Sequence, residues 1–168
     1  MSRLKVLIAG LALAMLPGVS FAADKVVNKV ANKVFDPTSD AAKDLVAAKQ
    51  QAKAEHKNIL LDVGGNWCGW CLVLDKLTHQ DAGLNAALEK GFVVVHVNYS
   101  NENKNEAFLK QFPAVNGFPY FFVLSADGNL LKNQSTDMFE SDHSMKNGYD
   151  RDKLERFFVR WAPKGTVL

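Results

Sequence analysis

The chain has two cysteines, and they stand three positions apart in Cys68-Gly69-Trp70-Cys71. Just upstream, Asn58 to Val63 carries Ile59-Leu60-Leu61 and reads as a buried strand that Gly64-Gly65 ends. Cys68 then opens a helix through Leu72, Val73, Leu74 and Leu77, stopping near Thr78. Residues three apart in a first helical turn face the same way, so the two sulfurs can close a disulfide with little strain. At the helix N-terminus, unpaired N–H groups and the macrodipole favour an anion. The thiol of Cys68 is therefore expected below its free pKa of about 8.5, as a nucleophilic thiolate. Cys71, one turn in and better covered, is placed to resolve a mixed disulfide.

Other uses of such a pair fit less well. Covalent haem attachment needs histidine directly after the second cysteine, where this chain has Leu72. A metal site would need further ligands, such as His79 or His96, to converge on the two thiolates. A purely structural bridge across so short a loop would constrain little chain. Redox exchange is the expected role, with no metal and no bound cofactor. No dinucleotide fingerprint accompanies the pair, so electrons must arrive from another protein's thiols.

The rest of the pattern alternates helix and strand. Thr38 or Ser39 can cap a helix over Asp40 to His56, with Ala42, Leu45, Val46 and Ala52 on its apolar side. After the cysteine helix come a short helix from Asp81 to Lys90, a strand from Phe92 to Val97, and a helix from Asn103 to Phe112 stopped by Pro113. Tyr120 to Leu124 and Leu130 to Asn133 flank Ala126-Asp127-Gly128-Asn129, the strongest hairpin signal present. A polar loop, Gln134 to Tyr149, leads to a last helix from Asp150 to Trp161 with Leu154, Phe157, Phe158 and Trp161 as its stripe. This order predicts an α/β fold, a central mixed sheet with helices on both faces.

Residues 1–22 read as an address. Arg3 and Lys5 precede an unbroken apolar run from Val6 to Leu16, and Ser20-Phe21-Ala22 offers small residues for a cut after Ala22. The run is short for a bilayer, which takes about 20 residues, and the alternative is an uncleaved anchor. Residues 23–37 form an extension with no assigned function, in which Phe35 is a candidate core residue, and 38–168 form the domain. Lys and Arg number 20 against 18 Asp and Glu, and Arg3 and Lys5 supply the whole excess. Such a balanced surface excludes an electrostatic nucleic-acid binder. The expectation is an exported protein, without stable membrane insertion after cleavage, in a compartment where disulfides persist.

Ile59-Leu60-Leu61-Asp62, Trp67-Cys68-Gly69-Trp70-Cys71 and Gly117-Phe118-Pro119-Tyr120, in that order, resemble the thioredoxin superfamily. The likeness runs from about residue 40 to the C-terminus and is strongest to exported members with a Trp-Cys-x-x-Cys centre. It implies the thioredoxin fold, a bacterial periplasmic setting, and thiol–disulfide exchange with protein substrates, as a reductase served by an upstream thiol protein that donates or accepts electrons. The family's dipeptide between the cysteines is often Gly-Pro. Gly69-Trp70 departs from it at the dipeptide that tunes thiolate stability and with it the redox potential.

The resemblance also implies partners for the cysteines. Asp62 matches a buried acid beneath them, whose raised pKa would suit a base for Cys71; the alternative is an aspartate capping the nearby turn. Pro119 matches a cis-proline facing the disulfide, with the Phe118 backbone pairing to an extended substrate. His96 falls where related strands often carry a lysine near that acid and could share its proton; the alternative, the commoner one for a lone strand histidine, is a satisfied core residue. Trp67, expected to pack, and Trp70, expected to be the more exposed, would form an apolar rim for a protein partner. A different class of function also fits: a binding or chaperone-like module using this fold without turnover.

Overall fold

The computed structural model describes residues 33–166. The predicted leader, its cleavage site and residues 23–32 of the extension lie outside them. The elements run α1 (Ala41–Glu55), β1 (Asn58–Gly64), α2 (Gly69–Gln80), α3 (Ala82–Gly91), β2 (Phe92–Asn98), α4 (Glu106–Leu109), β3 (Tyr120–Leu124), β4 (Leu130–Ser135), a 3-10 turn (Thr136–Phe139) and α5 (Arg151–Trp161). Among the described residues the sheet has strand order β2-β1-β3-β4. β1 and β2 are parallel, joined by the α2–α3 crossover, while β3 pairs antiparallel with both β1 and β4.

Alternation along the strands builds two cores, one on each face. Ile59, Leu61 and Val63 of β1 join Val93, Val95 and Val97 of β2 and Phe122 of β3 under α1 and α4. Leu60 joins Phe121 and Val123 under α2, α3 and α5, which contribute Leu74, Leu84, Leu154 and Phe158. The expected α/β architecture, a mixed sheet covered on both faces, is the one observed.

Local details differ from expectation for identifiable reasons. The cap of α1 is Asp40, whose carboxylate accepts from the backbone N–H groups of Ala42 and Lys43. Ala41, Ala48 and Ala52 form its buried face, while Val46 is 59% exposed, because small residues let the helix sit close on the valines of β2. The helix expected over Asn103–Phe112 shrinks to one turn. Asn105 adopts a left-handed conformation (φ 47°), and its side chain donates to the Asn98 carbonyl, so the chain before Glu106 follows the end of β2 instead of coiling. The loop expected from Gln134 is ordered further than its polarity suggests. β4 runs to Ser135, a 3-10 turn follows, and an isolated bridge joins Glu140 to Tyr149.

Candidate active site

β1 delivers its last residues to the site in alternating directions. Leu60, Asp62 and Gly64 face the α2 side, so the acid and a glycine replace two core side chains at the end nearest the cysteines. Gly64 is glycine for want of space. A Cβ there would lie 2.7 Å from Cys71 Sγ and 2.8 Å from Phe35 Cζ. The chain turns through Asn66 and Trp67, and Cys68 becomes the N-cap of α2.

Cys68 and Cys71 form a disulfide with Cα atoms 5.3 Å apart. The backbone N–H of Cys71 donates to Cys68 Sγ at 3.1 Å. Cys68 Sγ thus occupies the place of a capping acceptor, where helix N–H groups stabilise negative charge. Cys68 retains 6% of its surface and Cys71 none. The order of exposure expected from the sequence holds.

Asp62 is buried and pairs in register with His96 across β1 and β2. His96 Nδ1 stands 3.3 Å from Asp62 Oδ2, an ion-pair distance at an angle that leaves Nδ1 and Asp62 Oδ1 without a formed hydrogen bond. Burial pushes the imidazole pKa down. The Asp62 carboxylate, with Asp75 behind it, pushes it up further, so His96 lies above its ordinary value. Both residues line a cavity of about 560 Å³ between α2, α3 and the sheet, together with Asp75 and His79.

Phe118–Pro119 is a cis peptide at the start of β3. Phe118 packs beside the disulfide, and the Pro119 carbonyl accepts from the Thr136 hydroxyl at 2.7 Å. Trp67 and Trp70 exchange their expected roles. Trp67 is 60% exposed, held by its indole N–H to the Tyr99 carbonyl at 2.7 Å and edge-on to Phe118. Trp70 is half-buried against Tyr149, ring centroids 5.1 Å apart. Neighbouring aromatics distant in sequence decide both cases.

Three participants escaped the sequence reading of the site. Phe35, fully buried, packs with both cysteines. Its backbone N–H donates to Asn66 Oδ1 at 3.2 Å, and the Asn66 amide donates back to its carbonyl at 2.5 Å. Met145 covers Gly69, where a Cβ would meet its sulfur at 2.9 Å. Tyr149 supports Trp70, so one segment between the 3-10 turn and α5 touches both residues between the cysteines. Only Phe35, an apolar residue placed just before Asp36-Pro37, carried a signal in sequence. His56 is the C-cap of α1 and His143 pairs with Glu140, and no cluster suited to a metal ion occurs among the described residues.

Comparison with known proteins agrees with this geometry. A disulphide isomerase from Xylella fastidiosa Temecula1 is similar over 77% of this chain and 96% of its own, with 28% identity and a TM-score of 0.64. The C-terminal domain of Neisseria meningitidis DsbD, in its oxidised form, shares the fold over 73% of this chain and 97% of its own, with 20% identity and a TM-score of 0.54. No curated protein sequence matches. A family model described as thioredoxin-like matches residues 40–126, more than half of the sequence. With its Cys-x-x-Cys disulfide at the head of α2, the chain belongs to the thioredoxin-like family.

Proposed function

We propose that the protein is a thiol–disulfide oxidoreductase that exchanges disulfides with protein substrates and works as a reductase. The observation that carries this reading is the disulfide at the start of α2, with the Cys71 N–H directed at Cys68 Sγ. When the pair is reduced, the same donor and helix end stabilise a Cys68 thiolate. That thiolate attacks one sulfur of a substrate disulfide; a Cys68–substrate bond forms and the other substrate sulfur leaves as thiolate. Cys71 then loses its proton and attacks Cys68 Sγ, closing the internal disulfide and releasing the second substrate sulfur. The substrate gains two electrons and the Cys68/Cys71 pair loses them. A dithiol protein restores the reduced pair.

Asp62 is the proposed proton acceptor for Cys71. Its burial on the α2 face, two residues before the glycine that touches Cys71, supports that role. Trp67, Trp70, Phe118 and Pro119 are the proposed substrate surface, with the exposed indole of Trp67 as its outer edge. The likeness to a disulphide isomerase at 28% identity supports exchange with protein disulfides. Export to a bacterial periplasm rests on the charged start, apolar run and small-residue site of residues 1–22.

Insulin reduction by dithiothreitol tests the reading. The wild type is expected to accelerate precipitation of the insulin B chain over the reagent alone, and Cys68→Ser to abolish the acceleration. A wild type no faster than dithiothreitol, binding unfolded insulin instead, would establish the binding or chaperone-like module.

A further inference from the structure

We propose that Phe35 is a positioning residue of the exchange reaction, a hydrophobic seal that keeps Cys71 out of reach of solvent and so separates the roles of the two cysteines. Three observations meet at its ring. The first is contact with the cysteine. Phe35 Cζ and Cys71 Sγ converge on the empty side of Gly64, and both residues are fully buried. The second is what lies on the ring's other side. Its edge packs on His96, ring centroids 5.3 Å apart at 82°, and His96 keeps 30% of its side-chain surface exposed. A second cavity, of about 280 Å³, opens there between Val34, Asp44, Val94 and His96. Water therefore reaches the imidazole, and the Phe35 ring stands between that wet side and Cys71.

The third observation is the clamp. Residues 33–37 lie outside every helix and strand, so nothing in regular secondary structure fixes Phe35. Instead the Asn66 side chain pairs with its backbone N–H and carbonyl together, as a neighbouring strand would. Asn66 lies two residues before Cys68, on the turn that sets the helix start. The seal and the nucleophile are thereby tied to one short stretch of chain. A buried thiol walled by an aromatic ring is slow to meet outside electrophiles, while Cys68 keeps an open edge. Phe35 acts through Cys71 and touches no substrate.

The proposal concerns the exchange reaction proposed above, but its test needs no turnover. The reduced protein is treated with iodoacetamide and the alkylation rate of each cysteine is read by mass spectrometry. In Phe35→Ala the Cys71 rate is expected to rise at least about tenfold, with the Cys68 rate within about twofold of wild type. Phe35→Leu, which restores an apolar side chain, is expected to recover most of the difference. Asn66→Ala, which keeps the ring and removes its clamp, is expected to raise Cys71 labelling by a smaller factor. It also serves where Phe35→Ala fails to fold, as read by circular dichroism. An unchanged Cys71 rate in the folded variants would overturn the proposal. So would a parallel rise at both cysteines, which reports general loosening. An insulin assay showing no turnover by the wild type would refute the oxidoreductase reading while leaving the labelling result to judge the seal.

Discussion

The two faces of β1 are built to different ends. Toward α1 the strand sends Ile59, Leu61 and Val63, each with no exposed surface, into an apolar layer continued by Phe122 and Leu124. Toward α2 it sends Leu60, then an acid, then a glycine. The first face follows the ordinary economy of a core, where every side chain adds contact. The second gives up packing in successive steps as it nears the cysteines. Asp62 leaves a buried oxygen without a hydrogen bond, and Gly64 leaves room for a sulfur and a ring. A buried unpaired polar atom costs about 1–3 kcal/mol, so the chemistry of the second face stands on the packing of the first.

Substitutions on the two faces should therefore separate stability from activity. The largest loss of stability is expected from Phe122→Ala, on the apolar face. It removes a fully buried ring and should cost about 3–5 kcal/mol in urea unfolding, with exchange activity per folded molecule retained. An equal loss of activity in the folded fraction would erase the division between the faces.

Asp62→Asn is expected to act in the opposite sense. It keeps the shape, removes the proton acceptor, and should slow resolution by Cys71 about a hundredfold, within the range for general-base groups. Stopped-flow separation of initial attack from resolution checks this, with attack by Cys68 changed little. An unaltered resolution step would make Asp62 structural only.

A smaller effect is expected at the edge of the second face. His96 has its pKa raised in the folded protein, so its charged form is favoured by folding. The stability it contributes is fully present below the unfolded value of about 6.5 and is lost as pH rises through the folded value. Urea unfolding from pH 6 to 9 should show wild type losing ground to His96→Leu as pH rises. A constant difference between the two across that range would mean that Asp62 does not hold the imidazole proton.

What could be read from sequence follows the range of the interactions involved. The strand, the Cys68 helix and the β3–β4 hairpin are announced by neighbours within a few residues, and so is Pro119 before its strand. The pairing of Asp62 with His96 is suggested only by the resemblance, as one of two readings of a lone strand histidine; the register that joins them is visible only in the folded sheet. The single turn of α4 is not legible in sequence, because Asn105 turns left-handed to bond Asn98, a choice made by the end of β2. Trp67 and Trp70 show the reverse of the exposure their sequence suggests, since Tyr99 and Tyr149, which decide it, are distant in sequence. Met145 and Phe35 reach the site from segments without regular structure, where no periodicity marks which side chain turns inward.

The central claim is that the cysteines differ in role because they differ in place, one at the helix N-cap with a small edge of surface and one fully buried a turn further in. Trapping tests it most directly. Single-cysteine variants are mixed, in reduced form, with a protein carrying one accessible disulfide, and mixed disulfides are identified by mass spectrometry. Cys71→Ser should accumulate substrate linked through Cys68, because nothing remains to resolve it. Accumulation in Cys68→Ser, through Cys71, with none in Cys71→Ser would contradict the account.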